Sequence, residues 1–115
     1  MTVANELLGD WLDRELAGVP QELGMRVRTA LPAAWQSASL MDGAAILTAA
    51  AAGELRTLLE RGCETRWAAP GLLTVDALVT YACELLALAG SNIDAGTADI
   101  LNTIVQTLPQ QGSVA

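Results

Sequence analysis

Proline and glycine punctuate this chain at Gly18 and Pro20, Pro32, Gly62, Pro70-Gly71, the run Gly90-Ser91-Asn92, and Pro109. Between these points apolar residues recur every three to four positions, which is the spacing of one helical face. The residues filling those faces are mostly alanine and leucine, and phenylalanine is absent, a choice that favours helix over sheet. The pattern therefore predicts an all-α protein, a compact four- or five-helix bundle. Its short connections favour antiparallel neighbours.

The helices are placed by the direction of each side chain at ~100° per residue. The first is expected over 3–17, with Val3, Leu7, Leu8, Trp11, Leu12 and Leu16 on a broad apolar face and Glu6, Asp10 and Asp13 opposite. The second, over 20–31, opens at Pro20 and puts Leu23, Val27, Ala30 and Leu31 on one side before Pro32 stops it. Ala33 to Met41 reads equally as an extra turn or a loop. Asp42 is then placed to cap a third helix over 43–61, which turns Leu47, Ala51, Leu55, Leu58 and Leu59 inward and stops at Gly62. Trp67 and a Pro70-Gly71 turn form the connector. The fourth helix, 72–89, has Leu72, Val75, Leu78, Val79, Ala82, Leu85, Leu86 and Ala89 in one wide arc, so it is expected at the centre of the fold. Asp94 is placed to cap a fifth, whose Ile100, Leu101, Ile104, Val105 and Leu108 should face the core. Residues 1–109 then make a single helical domain and 110–115 a flexible tail.

Composition narrows the chemistry further. At 115 residues the chain can enclose one ordinary core. Thirteen acids face six basic residues, all arginine, for a net charge of -7. Nucleic acid and anionic membrane both require cationic surface, so neither is expected as a partner. With no histidine and no lysine, the chain cannot build a Ser-His-Asp or Cys-His pair, a histidine metal cage, a Schiff base or a phosphate-loop lysine. No catalytic residue, metal or cofactor is therefore assigned. Met1 to Gly9 lacks the positive start of an export signal, which makes a cytoplasmic location the expectation. The apolar stretch Leu72 to Ala89 contains Asp76 and Glu84, each costing roughly 2.5–3.5 kcal/mol near a bilayer centre, and is read as a core helix. Cys63 and Cys83 are too few for a disulfide framework.

The best candidate polar site is the stripe Asp76, Thr80, Cys83 and Glu84 on the fourth helix, whose side chains fall within ~100° of one another. It is an acid/base pair beside a thiol, an acidic socket for a cationic partner, or the solvated face of a buried helix, and the last reading is preferred because no base or metal partner accompanies it. Cys63 follows a helix C-terminus, whose partial negative charge disfavours a thiolate. Arg26, Arg28, Arg56, Arg61 and Arg66 are too few for a nucleic-acid footprint and are expected to pair with acids such as Glu22, Glu60 and Glu64. Trp11 and Trp67, with Leu8 and Leu12, are the candidate interaction residues, since aromatic anchors dominate contact surfaces.

The segment Leu72-Leu73-Thr74-Val75-Asp76-Ala77-Leu78-Val79-Thr80-Tyr81-Ala82-Cys83-Glu84 resembles one found in short, uncharacterised all-helical proteins of GC-rich bacteria, a resemblance that implies no activity. The helix order, the acidity and Ser39-Leu40 before a long helix are faintly similar to an acyl carrier protein, although that family carries its arm on an Asp-Ser-Leu motif and Ala38 precedes Ser39 here. The function expected first is thus a non-catalytic interaction or oligomerisation module, present as a homodimer. A carrier of small apolar or acyl ligands comes second, and a small enzyme using carboxylates third.

Overall fold

A computed structural model describes residues 6–62, 66, 68–88 and 93–108, with the backbone alone at 93–97. Among these residues the chain is an all-α bundle of five helices: α1 (Leu8–Leu16), α2 (Gln21–Ala30), α3 (Leu40–Arg61), α4 (Ala68–Leu88) and α5 (Ile93–Thr107). The described residues contain no strand, only an isolated antiparallel bridge between Leu7 and Ser39.

The long helices α3 and α4 form the scaffold. Near one end the α3 backbone at Gly43 touches Leu85, and near the other the α4 backbone at Gly71 touches Leu58. Early α3 thus meets late α4 and late α3 meets early α4, so the two run antiparallel. A side chain at either glycine would drive into leucine: an added Cβ would sit 2.7 Å from Leu85 Cδ1 at position 43 and 2.5 Å from Leu58 Cδ2 at position 71. Ala51 and Ala52 of α3 are also buried, while the tightest approach is made at the two glycines. Around this pair, α2 packs on α4 and α3, and α5 packs on both as well. The deepest side chains, Leu8, Leu12, Val27, Leu47, Leu78 and Leu85, come from α1 to α4. Burying each of these contributes ~1.5–3 kcal/mol. Thr74 is also buried, its hydroxyl donating 2.9 Å to the Pro70 carbonyl.

Several element ends differ from the sequence reading, each for a local reason. Leu7 is extended rather than helical, because Leu8 N–H donates to Ala38 O at 2.8 Å and ties the entry of α1 to the loop before α3. Residues 3–5 lie outside the described residues. Ala33 to Met41 resolves into a 3-10 turn, Trp35–Ser37, that carries Trp35 into the core. Ala34 enters that turn at φ 67, a left-handed conformation uncommon for alanine. The cap of α3 is Ser39, not Asp42: Ser39 Oγ accepts from Asp42 N–H and donates to Asp42 Oδ2, both at 3.2 Å. A serine three residues ahead of an acid satisfies the free amides earlier than Asp42 would. Gly62 stops α3 as expected, at φ 88.

Pro70-Gly71 is no turn but part of the first turn of α4. A proline there breaks nothing, because the first amides of a helix have no intrahelical acceptor. Position 94 is already within α5, and the Asp94 side chain, like Trp67, Cys63, Glu64 and Ala89, lies outside the described side chains.

The buried faces of α4 and α5 differ most. On α4 the buried arc is Ala68, Thr74, Leu78, Tyr81, Ala82 and Leu85, whereas Leu72 is half exposed. On α5 Ile100 is buried and Ile104 packs against the core, but Leu101, Val105 and Leu108 are exposed. The apolar arc of α5 is wider than the strip that α3 and α4 cover.

Candidate functional site

The polar stripe of α4 stands at the surface. Asp76, Thr80, Cys83 and Glu84 are all exposed, and Cys83 is a free thiol. Among the described residues no group of three or more His, Cys, Asp or Glu could hold a metal ion. The structure does not join Asp76 to Glu84. It joins Glu84 to Glu15 of α1, a residue that no motif or spacing singles out.

That junction begins in the core. Trp11 of α1 lies against Tyr81 of α4 edge to face, with ring centroids 6.1 Å apart and planes at 88°, an arrangement that sets the positive edge of one ring on the negative face of the other. Glu15 follows Trp11 by one helical turn and Glu84 follows Tyr81 by nearly one, so the aromatic contact brings the two carboxyl groups together. Glu84 is pushed up to about 6, first by its hydrogen bond with Glu15, then by partial burial and by the repulsion of that second carboxylate. Tyr81 is raised from its ordinary value by burial, with the charges of Glu84 and Glu15 adding to the effect. Within the expected solvated stripe, Glu84 is thus the member with a partner. The signal that would have found the pair is the contact of Trp11 with Tyr81, which periodicity does not contain.

The candidate interaction residues on α1 have a different place from the one expected. Leu8, Trp11 and Leu12 are 0%, 3% and 0% exposed in the chain's own core. Helix α1 packs on the 3-10 turn, meets α4 through Trp11 and Tyr81, and sets Leu8 beside Gly43 of α3, so these three side chains are taken up within the chain. The arginines also pair differently. Arg28 binds Asp13 of α1 at 3.2 Å, and Arg14 binds Glu6, which raises the Arg14 pKa further above its ordinary value. Ser39, the residue of the acyl-carrier resemblance, is committed to the cap of α3.

Exposed apolar surface gathers in two places. At the start of α4, Leu72 and Leu73 are exposed, and Leu73 lines a groove with Pro20 and Leu23, with Glu22 and Arg26 at its rim. On α5, Leu101 and Val105 are each 56% exposed and Leu108 follows just past the helix end. With exposed Ala98 they are spaced three, four and three residues apart. This is the a/d spacing of a two-helix seam.

By length and composition α4 is the one described helix able to cross a membrane, with a mean hydropathy of 1.6 over its most apolar window. In this fold it is the helix against which the others pack. No protein-family model matches the chain, and neither a curated protein nor a solved structure matches it.

Proposed function

We propose that the chain is a non-catalytic interaction module that pairs with a second copy of itself through α5. The observation that carries this reading is the exposed seam Ala98, Leu101, Val105 and Leu108, a helix face with pairing periodicity and no partner among the described residues. Charge favours a second copy as the occupant. Two chains of net charge -7 repel one another, so self-contact requires a face free of acids. No ionisable side chain follows Asp99, and the neighbours of the seam, Asn102 and Gln106, are polar but neutral.

A two-fold axis beside α5 would set each seam on its twin, the commonest form of homo-oligomer. Stable complexes bury about 800 Å² on each partner, more than one helix face supplies, so the pairing is weak and concentration-dependent. The acid/base alternative has less support. Asp76 and Glu84 are separated by ~12 Å of helix rise, and Glu84 is paired to Glu15 on open surface.

Size-exclusion chromatography with light scattering, on the parent and on the double substitution Leu101→Gln with Val105→Gln, tests the reading. Both positions are exposed, so the variant keeps the parent's helical circular dichroism. The parent should gain mass with concentration and the variant should not. A variant that associates as the parent does would remove α5 from the account.

A further inference from the structure

A groove of about 390 Å³ runs between α3 and α5, within the range of small-molecule sites. Met41, Ala45, Ala49, Leu86 and Ile100 make its apolar walls, and Met41 is 81% exposed at one end. Its polar groups are Thr48, Asp99 and Thr103. Thr48 donates its hydroxyl proton to Ala44 O at 2.7 Å, and Thr103 donates its own to Asp99 O at 2.9 Å. Both hydroxyl oxygens are left with acceptor capacity only. The Asp99 carboxylate, also an acceptor, takes part in no ion pair among the described residues. No arginine lines the groove.

An apolar trough whose described side chains offer acceptors and a negative charge, but no donor, complements a ligand that is apolar along its length and donates from a cationic head. We propose that this groove binds a small primary alkylammonium ligand, its chain along Ala45, Ala49 and Ile100 and its head on Asp99 with the two threonine oxygens. A quaternary ammonium has the charge without the donors, an alcohol has a donor without the charge, and a carboxylate has the wrong sign. The sequence has no lysine, so no side chain of a second copy carries a primary ammonium. The groove is also distinct from the pairing seam. At ~100° per residue Asp99 and Thr103 lie on the flank of α5 nearly opposite Leu101 and Val105, so either proposal can fail without the other.

The test titrates the full chain with octylammonium, octyltrimethylammonium, octanol and octanoate, each below its micelle concentration, and follows backbone amide NMR shifts. Octylammonium should bind tightest and shift the amides of Ala45, Thr48, Ile100 and Thr103. Asp99→Asn should weaken it roughly three- to tenfold, the scale of a charge-assisted contact partly screened by water. Ala45→Leu, which fills the trough from an exposed position, should abolish the shifts while leaving the helical spectrum intact. Octanol or octanoate binding as tightly as octylammonium, an unchanged affinity in Asp99→Asn, or shifts confined to the Leu101 flank would each overturn the proposal.

Discussion

Trp11 on α1 and Tyr81 on α4 meet edge to face at 6.1 Å, and this contact fastens the shortest helix of the bundle to its central one. Trp11 is 3% exposed, so its removal leaves a cavity that the chain cannot close by small shifts. Trp11→Ala should lower stability by ~3–5 kcal/mol, read as an earlier urea midpoint. A midpoint equal to the parent's would show that α1 is held elsewhere.

The carboxyl pair beyond that contact makes stability depend on pH, with a definite sign. Glu84 ordinarily titrates near 4.5 and in the fold near 6. Between those values the folded chain keeps a proton that the unfolded chain has released, so stability falls as pH rises through the window and then levels off. Glu84→Gln retains a hydrogen-bonding group and removes the repulsion. It should flatten this slope and stabilise the fold at neutral pH by less than ~1 kcal/mol, since water screens the exposed pair. Urea unfolding of both proteins across the window checks this, and an unchanged slope in Glu84→Gln would assign the pH dependence to other groups.

Two glycines separate close packing from backbone entropy. A methyl at Gly9 would stand 3.0 Å from Gln36 Cα and 3.0 Å from Gln36 O in the 3-10 turn, atoms that cannot swing aside, whereas Gly53 on α3 has nothing within 4 Å. Gly9→Ala should therefore cost ~1–3 kcal/mol, and Gly53→Ala should gain ~0.5–1 kcal/mol from helix propensity alone. Thermal unfolding of the two variants should move in opposite directions. A stabilised Gly9→Ala would mean that the 3-10 turn is not seated on α1.

Much of this architecture is legible in the sequence. The faces through Val27, Leu47, Leu78 and Leu85 are core faces, and Gly62 is a stop, because amphipathic period and helix-end chemistry act locally. What the sequence leaves open is how much of an apolar arc a neighbour covers. Trp11, Leu8 and Leu12 look surplus on a helix considered alone, yet the core takes them all. Leu101 and Leu108 look like core, yet α3 and α4 reach only Ile100 and Ile104. Pro70 looks like a turn because its tolerance depends on where the helix begins, which the close approach of Gly71 to Leu58 helps to fix through a tertiary contact. Glu15 carries no mark of its own until the aromatic pair sets it beside Glu84.

Self-pairing through the α5 seam that ends in the uncharged stretch after Asp99 is tested most directly by sedimentation equilibrium across micromolar concentrations. The account predicts a reversible shift from the 12.0 kDa chain toward twice that mass, lost when Leu101 and Val105 are both changed to Gln. A single species at the mass of one chain throughout the range would contradict it.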